Sequence, residues 1–420
     1  MDSTIGLKKR ASFMPQHGVL QRELNSLPEK VLLYIFSFLP HQELIRCARV
    51  CRFWRQLTQN SKLWKTVLLR PEYHGLHVKN IDQFLILVGH RFALSLQYIE
   101  LPMELITADV LHELANRCPN LKYMTLDFST AMQLHDFNDL NVFPCNLKML
   151  CICLSEVIFL EGFMRRIYTY LSSLEILHVI GIEDSGILSA EWESSYINEL
   201  DISSTELTEG CLLDLFSRLP KLNYLAVPNC DGFTDKVLEL LIDQGKLSNA
   251  RALDLSNTVN LNFEVVFTLL KHHARHLQGI CYAGNPKVTE QFWTNTIKHM
   301  KHIKIIVMGT SNGWFKKIST RIHVDQILEA CATECQKLER LEIQWDEETL
   351  RWNENSSKFI DHVRIRCTKL QSLVLSDGEY YEVVKSNFER ADRSRVVRTT
   401  TTYQTSIVSL LRYFNELRFN

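Results

Sequence analysis

The chain has 420 residues, enough for two or more domains, and its 46% hydrophobic and 23% charged residues are those of a folded globular protein rather than a disordered one. Forty-seven basic residues against 48 acidic ones leave a net charge of −1, so no whole-chain field draws nucleic acid or a strongly basic partner, and any charge steering must be local. Twelve cysteines without a signal-peptide pattern lead us to expect free thiols in the cytosol or nucleus, and no apolar run reaches the 18 or more residues of a membrane helix.

Residues 1–19 read as a flexible tail in which Lys8-Lys9-Arg10 is a solvated run. Leu24 to Trp64 then reads as a compact helical unit. Ser26 is a candidate N-cap, with Pro28 in the first turn and Glu29 placed as in a capping box, so a first helix is expected from about Leu27. Val31, Leu32, Ile35, Phe36, Phe38 and Leu39 recur at helical spacing before Pro40 stops it. A second helix is expected with Leu44, Ile45, Ala48, Val50, Cys51, Trp54 and Leu57 as its apolar stripe and Arg46, Arg49, Arg52 and Arg55 on its wet side. So short a unit cannot hide two Trp and three Phe in a private core, which implies a protein partner.

The string Leu27-Pro28-Glu29, Ile35-Phe36-Ser37-Phe38-Leu39-Pro40, Leu44, Val50-Cys51-Arg52-Phe53-Trp54, Leu63-Trp64 resembles the F-box. The resemblance implies docking onto a Skp-type adaptor, which joins a cullin scaffold and a RING subunit, with residues 20–66 as the F-box. Leu27, Pro28, Leu32, Ile35, Phe36, Leu39, Val50, Trp54 and Trp64 are the candidate adaptor contacts.

Beyond Trp64 a Leu-x-x-Leu-x-Leu phrase recurs eleven times, starting at Leu96, Leu121, Leu147, Leu174, Ile197, Leu222, Ala250, Leu277, Ile303, Leu338 and Leu370. The steps are 25, 26, 27, 23, 25, 28, 27 and 26, then 35 and 32. Segments such as Ala108 to Arg117 and Gly210 to Leu219 carry helical spacing between copies, so each repeat is a short strand, a loop and a helix. These features resemble leucine-rich repeats of the kind joined to F-boxes. The implied fold is α/β: a small all-α F-box followed by a right-handed β-α solenoid, or horseshoe, over residues 67–378.

Strand alternation sends the residues between the buried aliphatics to the inner face of that horseshoe. Glu199, Asp201, Tyr224 and Asp254 are candidate substrate contacts there, on a face that reads as partly acidic and partly apolar. The two long steps mark insertions around Gly309 to Lys317 and Trp345 to Asn355, whose Trp314, Phe315, Trp345 and Trp352 are further candidates for holding a protein substrate. Residues 379–420 read as a cap: four arginines from Arg390 to Arg398, a Thr run, and an amphipathic helix over Ile407 to Leu417.

Chemical motifs are absent. His272, His273 and His276, Cys331 with Cys335, and Cys151 with Cys153 have suggestive spacing but no partner set of a zinc framework, and no phosphate loop or nucleophile elbow occurs. Neither a catalytic residue nor a metal or other cofactor is expected. The family resemblance implies the substrate receptor of a Skp–cullin–F-box ubiquitin ligase, acting on an unknown protein and on neither nucleic acid nor membrane. The alternative is a scaffold that uses the same modules without ubiquitin transfer.

Overall fold

The structure is a computed structural model, and it describes residues 27–69, 75–129, 137, 139–154, 163, 166–181, 196–273, 275–309, 321–345, 349–351, 356–376, 385 and the backbone of 396–400. A short helical head leads into one parallel sheet of thirteen strands whose spatial order follows the chain without a single exchange.

The head holds three helices where the sequence suggested two. Helix α1 spans Glu29–Phe36, α2 His41–Cys47 and α3 Arg52–Thr58, followed by a 3-10 turn over Ser61–Trp64. Helix α1 starts two residues later than expected, with Pro28 rather than a polar side chain at its N-cap position, and it ends at Phe36. The expected second helix breaks because Cys51 swings to extended backbone and caps α3, its Sγ accepting from Trp54 N–H at 3.4 Å. Leu32, Phe36, Leu44, Leu57, Leu63 and Trp64 face inward and join the core that runs on through the repeats.

Strands β2 (Tyr98–Pro102), β3 (Tyr123–Asp127), β4 (Met149–Cys153), β5 (Ile176–Ile180), β6 (Glu199–Asp201) and β7 (Tyr224–Ala226) sit on the expected phrases. So do β8 (Ala252–Asp254), β9 (Gly279–Ala283), β10 (Ile305–Gly309), β12 (Arg340–Ile343) and β14 (Ser372–Ser376). Two more strands extend the sheet at its ends: β1 (Thr66–Leu68) pairs with β2, and β15 (Val396–Thr400) pairs with β14. The first insertion is followed by β11 (Ile322–His323), which pairs in parallel with β13 (Leu350–Arg351) in a small separate sheet. The final amphipathic helix expected after Thr402 lies outside the described residues, as does Ser26.

The repeats owe their form to a few recurring residues. Thr107 and Thr208 cap the helices Ala108–Arg117 and Glu209–Arg218, each accepting a backbone N–H at 3.4 Å, and an acid follows in the first turn to meet the positive helix end. After the strands the chain turns through left-handed backbone at Ser204, Asn229, Asn257 and Gly284, one in each of four consecutive repeats. Asn257 donates to Asn229 Oδ1 at 2.8 Å, and Asn229 donates to Ser204 Oγ at 3.2 Å, so the turns are stitched from repeat to repeat. At Gly284 a Cβ would fall 1.8 Å from Asn257 Oδ1, so the stacking leaves no room for a side chain.

One face of the sheet packs on the helices through Leu200, Leu225, Leu253, Ile280 and Ile306. The other face carries the alternate residues, among them a separate apolar cluster of Ala252, Cys281, Ile305 and Val307 with Tyr224 against it.

Candidate docking surfaces

On α1 the inward stripe is Leu32 and Phe36, four residues apart, yet the outward stripe is apolar too. Val31, Tyr34, Ile35 and Phe38 stand outside, the last with 70% of its surface exposed and Tyr34 with 67%. Tyr34 and Phe38 meet edge to face with centroids 4.9 Å apart. Val50 and Phe53 add exposed apolar area from the turn before α3 and its start. Six of the thirteen exposed large hydrophobics among the described residues therefore fall within 23 residues of sequence. Arg46, Arg49, Arg52 and Arg55 are exposed on α2, α3 and the link between them, and Arg46 pairs with Glu43 at 2.5 Å. A helix apolar on both its inward and outward sides after the charged Glu29 and Lys30, standing at a surface, lacks a cover that another protein must supply.

The expected adaptor contacts divide accordingly. Ile35, Val50 and Pro28 are exposed, while Leu27, Leu39 and Trp54 are half-buried, Trp54 meeting Phe36 at 5.1 Å between centroids. Leu32, Phe36 and Trp64 are buried in the chain's own core, which corrects their assignment as contacts. Val31, Tyr34, Phe38 and Phe53 are exposed members outside the candidate contacts, although Phe38 and Phe53 stand in the family string and Val31 and Phe38 stand at positions i and i+7 of the same helical pattern.

Trp64 has a different task. It is 0% exposed, its indole N–H donates to Thr58 C=O at 2.8 Å, and its ring lies between His41 at 5.2 Å and Phe92 at 5.7 Å. The Arg91 guanidinium sits 5.1 Å from the ring centroid. Phe92 closes the helical turn Val88–Phe92 just ahead of β2, so this tryptophan bolts the head to the start of the solenoid. Burial pushes the His41 imidazole down from its usual value, against a hydrogen bond with the Thr66 backbone.

On the sheet face without helices, the residues expected to greet a substrate are closed off. Glu199, Asp201 and Asp254 are buried, because strands less than about 5 Å apart press each repeat's side chains against the next. His178 Nε2 and Glu199 Oε1 are 2.7 Å apart. Asp201 Oδ1 accepts from Ser203 N–H at 2.9 Å and from the Ser203 hydroxyl, and Asp254 Oδ1 accepts from Ser256 N–H at 3.0 Å and the hydroxyl at 2.7 Å. Glu342 takes Arg340 and Gln344, the latter at 3.1 Å. Burial raises both aspartates above the usual carboxylate range, Asp254 to about 6 despite the Ser256 bonds that oppose the shift. Their assignment as exposed contacts is therefore corrected. Tyr224 stays half-exposed beside the apolar cluster. Trp345 is wholly buried in the main core, a second correction, while Trp314, Phe315 and Trp352 lie outside the described residues.

All twelve cysteines are free thiols. Among the described residues no group of three or more His, Cys, Asp or Glu is arranged to hold a metal ion, and no helix is long and apolar enough to cross a membrane.

A helical head with a surplus apolar surface, fused to a parallel-strand α/β solenoid, defines an F-box joined to leucine-rich repeats. An F-box-like family model matches residues 24–70. The chain is 26% identical over 230 residues to F-box/LRR-repeat protein 12 of Homo sapiens, covering 46% of this chain and 68% of that protein. It is 50% identical over 62 residues to F-box/LRR-repeat protein 5 of Danio rerio, 14% of this chain and 9% of the other. A yeast structure titled as a complex of Rad7 and Elc1 aligns with 93% of this chain and 90% of its own at 16% identity and a TM-score of 0.41. Residues 24–70 thus match the F-box-like family, and about half of the chain is similar to an F-box/LRR-repeat protein.

Proposed function

We propose that the chain is the substrate-recognition subunit of a Skp–cullin–F-box ubiquitin ligase. The head docks a Skp-type adaptor, the adaptor brings the cullin and RING subunit, and the solenoid holds the protein to be ubiquitinated. The observation that supports this most is the apolar stripe Val31, Tyr34, Ile35 and Phe38, uncovered in the free chain, with four exposed arginines on the next two helices and their link. Its complement is an apolar groove with an acidic rim.

In this reading the chain makes no bond. It raises the effective concentration of a substrate lysine near a charged conjugating enzyme, so the work of its residues is positional. The Trp64–Phe92 contact suits that work, because a head packed against the start of the solenoid keeps the two docking ends at a set separation.

Co-purification from cells tests the reading. The intact chain should bring down a Skp-type adaptor and a cullin, and Ile35→Asp combined with Phe38→Asp should release both. Adaptor and cullin retained by the double variant, or never captured, would contradict it. Adaptor captured without cullin would favour the scaffold without ubiquitin transfer.

A further inference from the structure

On the face without helices one register column runs along the sheet. Glu100 stands beside Thr125 at its start, and further on Asp254 stands beside Cys281 and Cys281 beside Val307. Exposure falls along that column, from half-buried at Glu100 and 9% at Thr125 to 1% or less at Asp254, Cys281, Val307 and Glu342. Strand spacing is the same throughout, and it hides only the flanks of a side chain. The tips over the later strands therefore have a cover that the first strands lack.

Beneath that cover lies an apolar floor. Ala252, Cys281, Ile305 and Val307 form a cluster separated from the main core by the sheet itself, with Tyr224 at its border. Beside it Asp201 Oδ2 is buried with no hydrogen-bond partner among the described residues. The occupant of this face thus has an apolar stripe to offer and a hydrogen-bond donor to supply.

The chain itself carries a segment of that size and chemistry. Residues 401–420 follow β15. Ile407, Leu410, Leu411, Phe414 and Leu417 recur at helical spacing as one stripe, and Arg418 falls on the same stripe four residues after Phe414. A helix over 407–417 rises about 16 Å. The floor from β7 to β10 covers three strand spacings, about 15 Å. From β15 back to β10, through β14 and β12, is again three spacings. Thr401 to Ser406 reach about 20 Å when extended, enough to cross them. Laid across the strands from β10 towards β7, the helix brings Arg418 to the β6 side, where Asp201 lacks a donor. A helix capping the edge of β15 would leave the cluster and Asp201 without a cover.

We infer that residues 401–420 dock as a helix on the inner face of the solenoid over β7 to β10, with Leu410, Leu411 and Phe414 on the apolar cluster and Arg418 at Asp201. The inner face is thereby divided. Its later strands are taken by the chain's own tail, and Tyr98, Tyr123 and Met149 on the early strands keep half-exposed tips for another protein. This division holds whether or not the chain serves ubiquitin transfer.

In the full chain, Phe414 is replaced by photoreactive p-benzoylphenylalanine, and cross-links are mapped by mass spectrometry in a mixture of isotope-labelled and unlabelled protein. They should fall between Tyr224 and Val307 of the same chain. Cross-links confined to β14, β15 or the helix Ser356–Arg366 would make the segment an edge cap, and cross-links between labelled and unlabelled chains would make the occupant a second copy. Either result overturns the proposal, as would the absence of cross-links. Alkylation of Cys281 under native conditions reads the cover from the other side. Leu411→Asp with Phe414→Asp should speed it at least about tenfold through the loss of two apolar anchors, with Cys331 and Cys335 of the main core unchanged. Cys281 alkylated no faster, or all three thiols accelerated alike, would also overturn it.

Discussion

The head and the sheet face misplace their side chains in opposite senses. Around α1, residues apolar enough for a core stand in water, whereas on the face without helices Glu199, Asp201, Asp254 and Glu342 are buried. The buried carboxylates have found partners within the chain: His178, Ser203, Ser256 and Arg340 each supply one. The exposed hydrophobics have none to find. Unsatisfied surface marks where a partner belongs, and a satisfied network marks where the chain has already closed on itself.

The largest expected effect sets these regions furthest apart. Ile35→Asp with Phe38→Asp should weaken adaptor capture more than about 100-fold in a binding titration, while the melting temperature stays within a degree or two because both side chains are exposed in the free chain. A melting temperature that collapsed would place these residues in the core and dissolve the contrast. Trp64→Ala should do the reverse, costing about 3–5 kcal/mol in denaturant unfolding because a fully buried indole is removed.

Asp254→Asn sharpens the comparison from the sheet side. A carboxyl held near 6 when folded and near 4 when unfolded binds more protons in the native state across that window. Its contribution to stability is full below about pH 4 and lost as pH rises to about 6. Asparagine keeps the acceptor that Ser256 N–H needs and removes the charge. The variant should therefore gain on wild type between pH 4 and 7, by on the order of 1–3 kcal/mol, in unfolding curves taken across that range. Smallest of all, Glu43→Gln removes an exposed pair with Arg46 and should shift stability by no more than about 0.5 kcal/mol.

Much of this architecture could be read from the residues. Eleven strands lie on the Leu-x-x-Leu-x-Leu phrases, because a repeat must place its aliphatics in register to bury them. Strand β1 is only Thr66-Val67-Leu68 and β15 is Val-Val-Arg-Thr-Thr, so neither carries the phrase, and pairing with a neighbour is what makes each a strand. In α1 both sides are apolar, and periodicity alone could not say that Leu32 and Phe36 turn in while Ile35 and Phe38 turn out. The burial of Asp201 and Asp254 was hidden for a different reason: alternation assigns a face, but the closeness of the next repeat decides whether that face is open.

Amide hydrogen exchange on the intact chain, with and without a Skp-type adaptor, tests the central contrast most directly. Protection gained over residues 31–53, with the strands from Glu199 to Asp254 unchanged, is the predicted result. Protection that leaves 31–53 untouched, or that falls on those strands instead, would contradict the assignment of the head as the docking end.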